Sequence, residues 1–157
     1  VWTIPAERMK GRKHLRRKHV IPLSTAAAEV AQAAIAYAPR GAYLFHSVQD
    51  PMQPLHERVL GHFIERAGYA GRQTPHGLRS SFSTIMNERH PDSEQDRAIL
   101  DLMLAHKPKT GVEAIYNKAA YMLRRRELAQ EWADLITPGL PSLGVIVRLP
   151  RSLRFAA

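Results

Sequence analysis

Prolines confine the second half of this chain to pieces that suit helices of ordinary length. A proline inside a helix lacks the N–H its turn requires and collides with the preceding turn. Of the eleven prolines, Pro75, Pro91, Pro108 and Pro138 stand between segments whose apolar residues recur at three- and four-residue steps. Thr74-Pro75 has the form of an N-cap followed by proline at the first helical position, and the helix it opens should reach Arg89. Ser93, with Asp96 three residues later, predicts a capping box before Ile99, Leu102 and Met103. That helix should end near His106, since Lys107-Pro108 cannot continue it. A short helical stretch is expected over Val112 to Tyr116. A longer helix follows from Ala119 to Ile136, with Tyr121, Leu128, Trp132 and Leu135 on one face.

The first half reads differently. Val1 to Glu7 and Leu15 to Leu23 carry strand-forming residues around the basic run Arg8-Met9-Lys10-Gly11-Arg12-Lys13, which predicts a basic β-hairpin. Ser24 or Thr25 can cap an alanine-rich helix to Tyr37. Pro39-Arg40-Gly41 is a turn, and Ala42 to Phe45 an extended piece. Pro54 to Ala67 carries Leu55, Val59, Leu60, Phe63 and Ile64 at helical spacing and is closed by Gly68. Thr137-Pro138-Gly139-Leu140-Pro141 begins a tail without helical period. The fold class expected is mainly α (α+β): a helical domain over 1–136 with a small antiparallel β-sheet at its start, then a tail over 137–157.

Charge narrows the function. Twenty-three Lys+Arg against 14 Asp+Glu give +9 over 157 residues, and a globular chain so basic calls for a polyanion, most commonly nucleic acid. The absence of cysteine excludes disulfides, thiol catalysis and thiolate metal sites. No apolar run is long enough to cross a membrane. His56-Glu57 followed by His62 is too widely spaced for a His-Glu-x-x-His zinc site, so no metal site is expected.

Three places hold chemistry. His76-Gly77-Leu78-Arg79 puts an imidazole and a guanidinium one helical turn apart, in a first turn that favours anions. Leu104-Ala105-His106 ends the next helix, and Ile115-Tyr116-Asn117 follows, with Tyr116 ten positions after His106. Each alone is an ordinary surface pair, a helix-capping histidine or a core tyrosine. Together, in this order, they resemble the tyrosine recombinases, the phage integrases, and the likeness extends over positions 1 to 136. It includes Trp2-Thr3-Ile4-Pro5-Ala6-Glu7-Arg8-Met9-Lys10, Val20-Ile21-Pro22-Leu23-Ser24, Ala114 to Lys118, Arg125-Arg126-Glu127 and Trp132-Ala133-Asp134.

The resemblance implies the C-terminal portion of a recombinase catalytic domain, truncated at its N-terminus. Tyr116 is then the nucleophile and Arg79 a phosphate ligand. His76 and His106 donate hydrogen bonds or move protons, and Lys10 is the general acid, a role for which Lys13 and Lys18 remain alternatives. The insertion around Arg12, Lys13, Arg16, Arg17 and Lys18 would track DNA backbone. The family's first catalytic arginine lies upstream of the strand beginning at Trp2, so this chain alone is expected to be inactive. No cofactor is called for, because a phosphotyrosine conserves the bond energy needed for rejoining. The implied partners are double-stranded attachment-site DNA, further protomers in a synaptic tetramer and accessory DNA-bending proteins. The implied location is the bacterial cytoplasm, with the nucleoid. A catalytically dead DNA-binding remnant and a type IB topoisomerase are the competing readings.

Overall fold

A computed structural model describes residues 1–37, 43–106 and 121–141. The chain divides into two compact units, Val1–Ser24 with Arg79–Ile136, and Thr25–Leu78 with Thr137–Ala157. It is mainly helical, with a small antiparallel sheet at its start, as the sequence predicts.

In the first unit, β1 (Trp2–Ile4) pairs with β2 (His19–Ile21) in the register Trp2↔Ile21, Thr3↔Val20, Ile4↔His19. The strands are shorter than the β-forming runs suggest. Pro5 and Pro22 have no N–H to continue the ladder, and the connection coils into two 3₁₀ turns, Ala6–Arg8 and Lys13–Leu15. Three helices supply the core: α3 (Gly77–Arg89), α4 (Glu94–Met103) and α5 (Met122–Ile136). Met86, Ile99, Leu100 and Leu128 are sealed from water, with Phe82, Met103, Tyr121, Trp132 and Leu135 packed around them. Each such side chain contributes about 1.5–3 kcal/mol when fully buried. Phe82 meets Trp132 edge to face, with ring centroids 5.3 Å apart at 88°.

A polar clamp fixes the α3–α4 corner against α5. Ser93 caps α4 as expected, its Oγ accepting from the Asp96 N–H at 3.0 Å. The Asp96 carboxylate also reaches beyond its own helix. It accepts two bonds from Arg124 on α5, at 2.8 and 2.7 Å, and also faces His90 at 3.5 Å. His90 donates from Nε2 to Glu131 at 2.9 Å, and Arg89 reaches the same carboxylate at 2.7 Å. The Arg124 bonds hold the Asp96 carboxyl below its ordinary range against the opposing effect of burial. For Glu131, burial pushes the pKa up, but the Arg89 and His90 bonds outweigh it and the net direction is down.

The second unit opens with α1 (Thr25–Tyr37), whose bounds match the alanine-rich periodicity. His46 then bridges Pro54, flanked by Ser47 N–H to Gln53 O at 2.8 Å and Leu55 N–H to Phe45 O at 2.9 Å. This pairing consumes the start of the helix expected from Pro54, so α2 spans Val59–Ile64 and widens into a π turn over Glu65–Tyr69. Gly68 sits at φ +86°, the left-handed conformation that stops the helix. Of the apolar stripe expected here, Leu60 and Phe63 remain 57% and 54% exposed. Thr74 caps the next helix, its Oγ accepting from Gly77 N–H at 2.9 Å. A tail turn follows α5, Leu140 N–H to Thr137 O at 3.1 Å. The expected turn at Pro39-Arg40-Gly41, the residue Ala42, the stretch Val112 to Tyr116 and the Ala119 start of the last helix lie outside the described residues.

Candidate active site

The C-terminus of α4 organises what can be seen of the site. A helix ends with carbonyls that have no partner within it and with the negative end of its dipole. Here Ala105 N–H bonds Leu102 O at 3.0 Å and His106 N–H bonds Asp101 O at 2.9 Å, the paired bonds of a Schellman motif. The motif requires a left-handed residue, and Ala105 takes it at φ +57°. Glycine is the usual occupant, so this alanine carries a steric cost of about 1–2 kcal/mol.

The carbonyls left over are claimed by side chains from elsewhere in the same unit. Arg79 on α3 donates from Nη2 to Leu104 O. His19 on β2 donates from Nε2 to Met103 O at 3.2 Å. The guanidinium complements the dipole and links the His-x-x-Arg helix to the Leu-Ala-His turn. Arg79 is exposed despite this bond, so its remaining N–H donors are available to an anion. His106 donates from Nδ1 to Asp101 Oδ1 at 2.9 Å. A carboxylate accepts only, which assigns the tautomer and leaves Nε2 as the nitrogen that can serve a ligand. His106 and Asp101 are about half exposed, at 53% and 51%.

The sequence names Arg125 only within the Arg125-Arg126-Glu127 likeness and assigns neither it nor His19 a role in the site. Arg125 on α5 is 7% exposed and donates from Nη2 to Val20 O, next to His19 in β2, while its buried Nε has no partner among the described residues. Burial lowers the Arg125 pKa. Burial first, then the charges of Arg125 and Arg79, pull the His19 pKa down against the Met103 bond. His19 is therefore a neutral donor at neutral pH, and β2 is fastened to both α4 and α5. No local pattern announces either residue, because their partners are 84 and 105 positions away.

Lys10 is exposed and lies between the two 3₁₀ turns of the hairpin connection. Arg12, Lys13, Arg17 and Lys18 are exposed around it. Arg16 is half-buried and folds back on its own loop, from Nε to Gly11 O at 2.9 Å and from Nη1 to Glu7 O at 3.1 Å. His76, in the other unit, is exposed in the turn capped by Thr74. Tyr116 lies outside the described residues, whereas Tyr121 packs against the core cluster. Among the described residues no group of three or more acidic or histidine side chains is placed to hold a metal ion, and no helix is long and apolar enough to cross a membrane.

The described part of the first unit is thus a basic hairpin on a helical core, with Arg79 and His106 at one helix end. The profile of the phage integrase family matches residues 1–122, and the chain belongs to that family. It is 35% identical over 137 residues to prophage integrase IntA of Escherichia coli K12, covering 86% of this chain and 31% of that protein. Prophage integrase IntZ of the same strain is 38% identical over 134 residues, covering 85% and 31%. The integrase of Shigella phage Sf6 is 37% identical over 135 residues, covering 85% and 33%. The chain thus spans about a third of the length of these relatives. No solved structure gives a significant match.

Proposed function

We propose that the protein containing this chain recombines duplex DNA site-specifically, integrating and excising a mobile element through a phosphotyrosine intermediate. The observation that carries the reading is the Arg79–Leu104 contact, which brings two separate parts of the expected catalytic set to one helix end. The names of the relatives, prophage integrases, agree with it.

In this reading Tyr116 Oη attacks the scissile phosphorus and the bond from phosphorus to the 5′-oxygen breaks. The phenol, with a pKa near 10, gives its proton to one of the imidazoles, His106 or His76. The Lys10 ammonium protonates the departing oxygen, leaving a 5′-hydroxyl and a 3′-phosphotyrosine. Arg79 meets the charge gathering on the non-bridging oxygens, at the site where one donor is worth about 2.7–4 kcal/mol. Attack by a 5′-hydroxyl of another strand reverses the step without ATP.

Residues 1–136 form the catalytic portion and 137–157 a tail. Arg12, Lys13, Arg17 and Lys18 lie along the DNA backbone, while Arg16 turns its Nε and Nη1 donors inward onto its own loop. Other protomers in a synaptic tetramer, accessory DNA-bending proteins and the bacterial nucleoid complete the setting.

The test is a nicked suicide duplex, of a sequence recovered by binding selection, given to the full-length protein. Wild type should form a covalent adduct that Tyr116→Phe loses while still binding DNA. Binding without any adduct, in wild type as in the variant, would identify a DNA-binding remnant instead.

A further inference from the structure

We infer that Arg16 is a positioning residue that holds Lys10, rather than Lys13 or Lys18, in place as the proton donor to the leaving 5′-oxygen. The inference rests on the phosphotyrosine reading above and deepens it.

The shape of the hairpin connection is the starting point. Arg8 N–H bonds Pro5 O and Met9 N–H bonds Ala6 O, each at 3.1 Å, so the chain before Lys10 is a closed turn. Gly11, directly after Lys10, sits at φ +116°, where a side chain would be strained. The Arg16 guanidinium then clasps the carbonyls of Glu7 and Gly11, which stand on either side of Lys10. Two N–H groups on one rigid plane fix the separation of two acceptors, which a single ammonium cannot do. The backbone carrying Lys10 is thereby bracketed at both ends. Lys13 opens the following 3₁₀ turn and Lys18 lies just before β2, so both fall outside the bracket. Lys10 itself is exposed, as a group that must reach a DNA oxygen has to be.

Placement matters because proton transfer needs heavy atoms within about 2.6–3.2 Å. A displacement of about 1 Å at a reacting group costs on the order of 10²-fold in rate. Loss of the clasp should therefore slow cleavage by roughly ten- to a hundred-fold while leaving DNA affinity within about threefold.

The leaving group separates this role from a general structural one. A thiol has a pKa near 8.5, so a bridging sulfur departs without a donated proton. The experiment uses the full-length protein on two nicked duplexes of the selected sequence, one with oxygen and one with sulfur at the scissile 5′ position. Single-turnover cleavage is measured for wild type, Lys10→Ala, Arg16→Ala and Lys13→Ala, with affinity and melting temperature alongside. Lys10→Ala and Arg16→Ala should both be slow on oxygen and both return to within about threefold of wild type on sulfur, whereas any slowing in Lys13→Ala, a backbone contact in this reading, should be the same on both substrates. If Lys10→Ala is rescued by sulfur but Arg16→Ala is not, or Arg16→Ala cleaves normally, the positioning role is wrong and the general acid stands. If Lys10→Ala is slow on both substrates, the general-acid assignment fails first and takes the inference with it. A loss of affinity in Arg16→Ala with equal slowing on both substrates would make Arg16 a phosphate ligand. Should Arg16→Ala lose its fold, Arg16→Gln, which can still donate to one carbonyl, carries the same comparison.

Discussion

Replacing Asp96 by asparagine tests how the first unit is held together. The substitution keeps the shape of the side chain and removes its charge. Asp96 is almost fully buried and accepts both prongs of Arg124, while Arg124 is 36% exposed and also reaches Glu127 at 2.9 Å. Hydrogen bonds to a charged group contribute about 1.5–3 kcal/mol. The asparagine amide can offer its oxygen to only one prong and points donors at the other. The exposed flank of Arg124 keeps it hydrated, which limits the loss. Asp96→Asn should therefore lower unfolding free energy by about 2 kcal/mol at pH 7. The pH dependence gives the cause. Arg124 holds the folded Asp96 pKa below its unfolded value of about 3.9, so the stabilisation is present above that value and is lost as pH falls through the folded pKa. Urea unfolding followed by the fluorescence of Trp132, which packs on Phe82, should show the gap between wild type and variant at pH 7. The gap should narrow steadily below about pH 4. A gap of the same size at pH 7 and pH 3 would refute the ion-pair argument.

Three further outcomes follow from the same geometry. Ala105→Gly should raise stability by about 0.5–1 kcal/mol, the relief of the left-handed alanine less the entropy glycine adds to the unfolded chain, as read by thermal melting; a lower melting temperature contradicts the Schellman assignment. Alanine at Arg12, Lys13, Arg17 and Lys18 together should weaken duplex binding and flatten its log–log salt slope by about 0.9 for each phosphate no longer neutralised; an unchanged slope makes these charges a solvated turn. Arg79→Lys in the full-length protein should cut cleavage by roughly 10²-fold, because an ammonium cannot bond Leu104 O and clasp a phosphate at once; near-normal single-turnover rates would remove Arg79 from the site.

What is legible in the sequence is what is decided locally. The Ser93 and Thr74 caps and the Gly68 stop act within a few residues of themselves, and all three appear where their residue types predict. The α1 bounds follow the same logic, since a run of alanines has little competing preference. Apolar spacing misplaces the start of α2, because it cannot register that Pro54 pairs with His46. The stripe there promises burial that Leu60 and Phe63 do not have. In the site, Arg79 and His106 can be named from their motifs, but not that a backbone carbonyl joins them. Arg16 reads as one more DNA-facing charge, and only the folded loop turns two of its donors inward. His19 and Arg125 act on partners brought near by tertiary folding, which periodicity does not encode.

Covalent attachment of DNA to Tyr116 is directly measurable, because the tryptic map separates the two candidate tyrosines. Trypsin cuts after Lys109, Lys118 and Arg124, so Tyr116 and Tyr121 fall in different peptides, Thr110–Lys118 and Ala119–Arg124. Full-length protein trapped on the nicked duplex, digested with nuclease and trypsin, can be read by mass spectrometry. A nucleotide remnant is expected on the Thr110–Lys118 peptide alone, at Tyr116. A remnant on Ala119–Arg124, or a trapped complex with no modified tyrosine, would contradict it.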